Sequence, residues 1–456
     1  MTSSVGVSPG PVTRAPAVQR AWPRSRLDTA TTPGRLGLLL VGLVLLSLAW
    51  GVLAALTAEQ HASAAAEVVA VSEPLSLDAE QIYQSLSDAD ATAASAFLVG
   101  GLAPAADRQR YNADIAQAAI RIEAASALLG SSAARTQLPG NLNRQASAAG
   151  SATGDDLATL SAGLPVYADE VGTARADNRI GYPLGAAYLR EASAFLQGTL
   201  LTAASDIYTK ENGLLTSASA QATGLPLVVI TAVIGLALGY LLYRSWRWLT
   251  RRTHRRVNYG LLVAAVAFAV SLVWLAGAFF FGRADLLHAQ QHGSAPAEAY
   301  ARADVAALQA HADESLTLID NSGVHSYQQD FIAQQKLLGP GPGTLLAAVQ
   351  ASAGDGTAAA DAQAWYRAHA ALRALDDGGN HTAAVQSALN GQAAASFNRL
   401  SADLSDGINA HQAVFASDAR GGRDAFTGLA VGMIVASLIM AAGCAWGLNR
   451  RLAEYR

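Results

Sequence analysis

Hydrophobic and polar positions along this chain fall into two regimes. In the first, four stretches are apolar on every side: residues 36–57, 225–243, 259–281 and 429–448. Each is close to the roughly 20 residues that a helix needs to cross a bilayer. None contains Asp, Glu, Lys or Arg, which argues against an ion pathway or proton relay through them. The first run is longer than the apolar core of a secretory signal and follows a long arm, so it is expected to be an uncleaved anchor.

In the second regime, apolar residues recur at spacings of three and four, the period of a helix with one buried stripe. Residues 58–224 carry four such seams. They are Ile82, Leu86, Ala89, Ala93 and Phe97; Tyr111, Ile115, Ala118, Ile122, Ala125 and Leu129; Leu157, Leu160, Leu164, Tyr167, Val171 and Ala174; and Leu189 through Leu214. Breaks separate them at Gly100-Gly101 with Pro104, at 130–154 and at Gly181-Tyr182-Pro183. No stretch alternates as a strand would. Four helices joined by short turns predict an antiparallel bundle. Its first helix is expected to continue from the first span with a kink near Pro74, and its last to run into the second span.

Residues 282–428 repeat the plan. A seam of Val305, Leu308, Ala312, Ser315 and Ile319 is followed by a Gly/Pro break at 339–343, shorter helical stretches, and a long final helix from about Ala383 into the fourth span. Pro74 and Pro296 follow their spans at matching distances, each 27 residues before a glycine, Gly101 or Gly323. Ala192-Ser193-Ala194-Phe195 is echoed by Ala394-Ala395-Ser396-Phe397. An internal duplication of this kind predicts a pseudo-symmetric pairing of the halves, within one chain or in a homodimer. The predicted fold class is an all-α membrane protein with four transmembrane helices and two extracellular antiparallel four-helix bundles.

Charge distribution supplies the orientation. The arm, residues 1–35, carries Arg14, Arg20, Arg24, Arg26 and Arg35 and has a disorder-prone composition. The link at 244–258 carries Arg244, Arg247, Arg251, Arg252, Arg255 and Arg256 with no acid. The tail, 449–456, has Arg450, Arg451 and Arg456. The positive-inside rule puts all three, and both termini, in the cytoplasm. The segment 58–224, with 18 acidic against 9 basic residues, is then outside. Mean hydropathy is +0.22, high for a soluble chain. The single cysteine, Cys444, lies in an apolar run, so no intramolecular disulfide is possible.

A span that enters a four-helix bundle and returns through a second span resembles the sensor module of bacterial chemoreceptors and related kinases, through stretches such as Tyr83-Gln84-Ser85-Leu86-Ser87-Asp88-Ala89-Asp90-Ala91. Only about eight residues follow the fourth span, too few for an output module. A duplicated module of this sort resembles the GlnX-type membrane sensors of actinobacteria. That resemblance implies an extracellular partner, an amino-acid-binding lipoprotein of the GlnH type that takes glutamate or aspartate. It also implies a cytoplasmic Ser/Thr kinase of the G type, reached directly or indirectly.

Candidate contact residues cluster at the turn between the third and fourth seams: Arg175, Asn178, Arg179, Tyr182, Tyr188 and Arg190. Arginine and tyrosine dominate binding hot spots, although a solvated turn has the same composition. The loop arginines Arg244 to Arg256 suit anionic headgroups and could also dock a cytoplasmic protein. Asp88 and Asp90 are two apart and share no helical face, which suggests surface charge. His288 and His292 have a chelating spacing but no third ligand nearby, so no metal is expected. Phosphate loops, His-Glu-x-x-His and nucleophile elbows are absent from the sequence, and no soluble segment carries a basic patch. The expected function is therefore a membrane signal relay, not an enzyme, with no cofactor and no nucleic-acid partner. The alternative is an envelope scaffold or an accessory subunit of a membrane complex.

Overall fold

A computed structural model describes residues 32–67, 73–130, 140–222, 226–253, 258–320, 327–354 and 356–453. Among these the chain is all helix, with no strand. The helices are α1 (Thr32–Glu67), α2 (Glu73–Leu98), α3 (Ala105–Gly130), α4 (Gly140–Arg179), α5 (Leu184–Phe195), α6 (Leu201–Ala222), α7 (Pro226–Thr253), α8 (Tyr259–His288), α9 (Ala295–Ile319), α10 (Tyr327–Leu338), α11 (Leu345–Ala353), α12 (Thr357–Asp377), α13 (His381–Asn390), α14 (Gln392–Asp424) and α15 (Leu429–Ala453). Two π-helical turns, Leu196–Leu200 and Ala289–Ser294, join α5 to α6 and α8 to α9 without a break.

Four helices are long and apolar enough to cross a membrane, with the apolar stretches in Gly37–Ser63, Val229–Trp248, Tyr259–Ile319 and His381–Arg450. Protein buries only 28–33% of each apolar window. Large side chains such as Leu45, Leu236, Val273 and Val431 remain more than half exposed. A water-soluble protein does not tolerate apolar surface on this scale, so the chain is a multi-pass membrane protein.

The structure divides into two compact units. The first comprises residues up to 52, 232–271 and from 434 onward. Small residues let its helices approach closely, as expected where lipid supplies no hydrophobic drive between them. A Cβ on Gly260 of α8 would lie 2.5 Å from Gly447 and 2.6 Å from the Gly443 carbonyl of α15. Gly235 of α7 faces the Trp50 ring of α1, whose Nε1 donates to Ser271 Oγ of α8 at 3.3 Å.

The second unit comprises residues 53–231 and 272–433. Its first half is a four-helix bundle: α2 packs on α3 and α6, and α4 packs on α3, α5 and α6. Tyr167, Leu160, Leu86, Ile82 and Leu200 fill the core. The turn at Gly181 requires a left-handed residue (φ +74°), which glycine adopts without strain. The second half departs from the four-helix expectation. The end of α9 at Ile319 and glycine-rich breaks at 339–343, 354–356, 378–379 and 391 divide its described residues into six helices, α9 to α14.

Three further expectations are corrected. The break expected at 130–154 is shorter, because α4 is already helical from Gly140. The arginine loop is shorter too: α7 stays helical through Thr253. The final helix does not run unbroken into the fourth span. α14 ends at Asp424, and a turn with Gly428 at φ +75° precedes α15. In contrast α8, the π turn and α9 form one helix from Tyr259 to Ile319. The joins expected at 68–72 and 223–225, residues 1–31 of the arm, and Gly323 lie outside the described residues, whereas Pro74 sits in the first turn of α2.

Candidate functional site

The two halves of the second unit share one central helix. α9 packs on α2 from the first half and on α10, α11 and α14 from the second. Eighteen of its 25 residues are buried. Alanine at about every second position lets neighbours approach on all sides, so its few polar residues are forced inside. Leu316 of α9 belongs to the first-half core, and other α9 residues line the second.

A polar seam follows the α2–α9 contact. Gln84 Nε2 donates to Asp304 Oδ2 at 2.8 Å. Gln309 Nε2 donates to Tyr83 Oη at 3.0 Å, and Gln334 Nε2 to Gln309 Oε1 at 2.9 Å. Gln412 Nε2 of α14 donates to Glu80 Oε2 at 3.3 Å. Burial dominates the acids. It raises Glu80 to about 8 against the pull of the Gln412 hydrogen bond. Asp304 rises to about 7 and Asp313 to about 8, also chiefly by burial. The seam therefore holds several of its carboxyls protonated near neutral pH.

Asp90 is a correction to the surface-charge expectation. It is 2% exposed and accepts from Ser193 Oγ at 2.6 Å and Tyr167 Oη at 3.2 Å. Burial raises it to about 6 despite these bonds. Asp88 instead meets Arg110 of α3 in a two-pronged pair at 2.8 and 3.0 Å. Glu314 is the opposite case. It is fully buried and accepts from His369 Nδ1 at 2.7 Å and His311 Nδ1 at 3.3 Å. Burial pushes it up, but the two imidazoles outweigh burial and hold it at about 2.

A cavity of about 450 Å³ opens beside the seam. Glu80 and Tyr83 of α2, Tyr208 of α6, Arg302 and Gln309 of α9, and Gln334 of α10 are among its lining residues.

The candidate contact residues around the α4–α5 turn, the tip of the first half, separate into two groups. Arg175 places its guanidinium 3.8 Å from the Tyr111 ring centroid, and burial lowers its pKa. Arg190 pairs with Asp320 at the end of α9, 3.1 Å away. Tyr188 packs on the first core, and Asn178 Nδ2 donates to the Phe97 carbonyl at 2.9 Å, tying the α4–α5 turn to the α2–α3 turn. Arg179 and Tyr182 face solvent, beside exposed Ile180, Leu184, Val99 and Leu102. In the arginine segment, Arg244 and Arg247 are exposed near the hydroxyls of Tyr240 and Tyr243. Arg251 and Arg252 fall within α7, and Arg255 and Arg256 lie outside the described residues. His288 and His292 stack with centroids 4.2 Å apart, and His288 meets Asp418 at 2.6 Å.

The spans and the helical unit together define a multi-pass helical membrane protein whose helical unit holds a polar interface between its two halves. Residues 64–220, the end of α1 through α6, match the family model described as an actinobacterial sensor domain. This match supports an actinobacterial sensor protein with a sensing or signalling role. No curated protein and no solved structure matches the chain.

Proposed function

We propose that the chain relays a signal across the membrane, with the helical unit outside and both termini and the arginine-rich segment in the cytoplasm. The observation that carries this reading is the unbroken helix from Tyr259 to Ile319. Its first part is a candidate span and its last part is the core helix shared by the two halves. Any change in how the halves pack is therefore passed along one continuous helix. The outside partner in this reading is a solute-binding lipoprotein of the GlnH type, responsive to glutamate or aspartate, that docks on the exposed tip around Tyr182. The inside partner is a Ser/Thr kinase of the G type. The two halves act as duplicated sensor modules. The sensor-domain match at 64–220 supports this reading, as does the absence of charged residues from the spans.

The test is affinity capture of the full chain from gently solubilised membranes, with and without glutamate or aspartate, followed by mass spectrometry. Recovery of a solute-binding lipoprotein that changes with the amino acid supports the relay. Recovery of envelope-assembly proteins alone, unresponsive to amino acids, rejects it in favour of the scaffold or accessory-subunit reading. Orientation is tested separately by labelling a cysteine placed at Tyr182 in intact cells, against the low background expected from buried Cys444.

A further inference from the structure

The cavity beside the α2–α9 seam has walls that specify a ligand. At about 450 Å³ it is within the size range of small-molecule sites. Two of its lining residues, Glu80 and Gln334, each present a buried Oε1 acceptor without a hydrogen-bond partner. Unpaired buried acceptors are costly, so a complementary ligand brings donors. Charge narrows the choice. Arg302 is the one cation on the cavity wall among the described residues, and it is already 3.6 Å from Glu298 and largely exposed. Once ionised, Glu80 and neighbouring Asp304 have no matching cation. Tyr83 and Tyr208 add aromatic surface, which attracts cations and packs on alkyl stems.

We infer that this cavity binds a small organic cation bearing a protonated primary amine, which donates to Glu80 Oε1 and Gln334 Oε1 and packs its stem against Tyr83 and Tyr208. Because α2 and α6 come from the first half and α9 and α10 from the second, occupancy clamps one half onto the other. The site deepens the sensor reading and rests on it for its biological meaning, but its binding test does not depend on any partner.

A proton signature accompanies binding. The free Glu80 carboxyl, at about 8, holds a proton at pH 7. The charged and titratable groups around it are Glu298, Arg302 and Asp304 on α9, Tyr208 on α6 and Tyr83 on α2, with Gln412 of α14 as its hydrogen-bond donor. An ammonium at Oε1 favours the carboxylate, so the proton leaves as the ligand enters.

The experiment is calorimetric titration of the full chain in detergent with putrescine and n-butylamine, using 1,4-butanediol as an uncharged control, in two buffers of different ionisation enthalpy. The expected result is saturable amine binding with proton release at pH 7 and no diol binding. Glu80→Gln, which mimics the protonated acid and so keeps the fold, weakens amine binding at least tenfold and removes the proton release. Val305→Trp, which fills the cavity, abolishes binding. Absence of saturable amine binding, equal affinity for the diol, or wild-type affinity in either variant overturns the assignment. Any of these leaves the lipoprotein capture result unaffected, so the two proposals fail separately.

Discussion

Gln84 and Asp304 lie 220 positions apart in the chain and are joined by a 2.8 Å hydrogen bond between α2 and α9. The bond crosses between the two halves at a site where Asp304 is 1% exposed. One partner carries a titratable group, so the contact between the halves is tied to pH. Asp304→Asn keeps a hydrogen-bonding group of the same shape and removes the titration. Its melting temperature should exceed the wild type's by little near pH 5 and by much more near pH 8.5, measured by differential scanning fluorimetry in detergent. Equal melting at both values would exclude Asp304 as a titrating group.

The whole-chain pH dependence follows from the same acids. Glu80, Asp304 and Asp313 have folded pKa values of about 7 to 8 and Asp90 about 6, against roughly 4 when unfolded. A raised pKa means that the folded state holds more protons, so its stability is fully present below about pH 4 and is lost as pH rises through 6 to 8. Glu314 has the reverse sign: its contribution is present above about 4.5 and lost as pH falls through about 2. Thermal melts should therefore show greatest stability in mildly acid buffer and a decline toward pH 8.5. A maximum at alkaline pH would contradict this assignment.

Glu314 anchors the second core. His311, His369 and Trp365 all converge on it, and His369 stacks on Phe331 with centroids 3.6 Å apart. Removing one member of a buried charged group strands the others and costs ~3–5 kcal/mol. Glu314→Ala should destabilise the protein by about that amount, seen as a large drop in the circular dichroism melt. Glu314→Gln, which fills the same space and keeps one oxygen to accept from a single imidazole, should lose less.

The α8–α15 crossing depends on the absence of side chains. Gly443→Leu would drive its side chain into the Gly260 carbonyl, which lies only 2.8 Å from where a Cβ would sit, and should separate the two helices. A disulfide crosslink between cysteines introduced on α8 and α15 should form readily in the parent and poorly in this variant. Unchanged crosslinking would show that the close approach is not required.

At the tip, Tyr182 is 61% exposed and Ile180 is 65% exposed. Ile180→Ser with Tyr182→Ser should leave the melting temperature within about 1 kcal/mol of stability and abolish capture of the outside partner. Arg175→Ala and Arg190→Ala, by contrast, should lower stability, because these side chains serve Tyr111 and Asp320. A tip double variant that captures its partner normally would move the docking surface elsewhere.

Much of this architecture is legible from local pattern alone. An uncharged apolar run such as 259–281 can be satisfied only by lipid or a large core, and seams such as Leu157, Leu160, Leu164 and Tyr167 bury a stripe in any helical packing. Gly181 announces its turn because few other residues adopt its backbone conformation. These features are fixed by residues within a few positions of one another. The seam is not of that kind. Asp90, Asp304 and Glu314 look like ordinary surface acids in their own helices, and only the convergence of distant segments removes water from them. The alanine-rich spacing of α9 was the available signal, since a helix with so few bulky side chains is one that others can surround. Tertiary packing also decided that Arg175 and Arg190 turn inward while Tyr182 stays in water, because solvent exposure is a property of neighbours brought together by the fold and not of the residue itself.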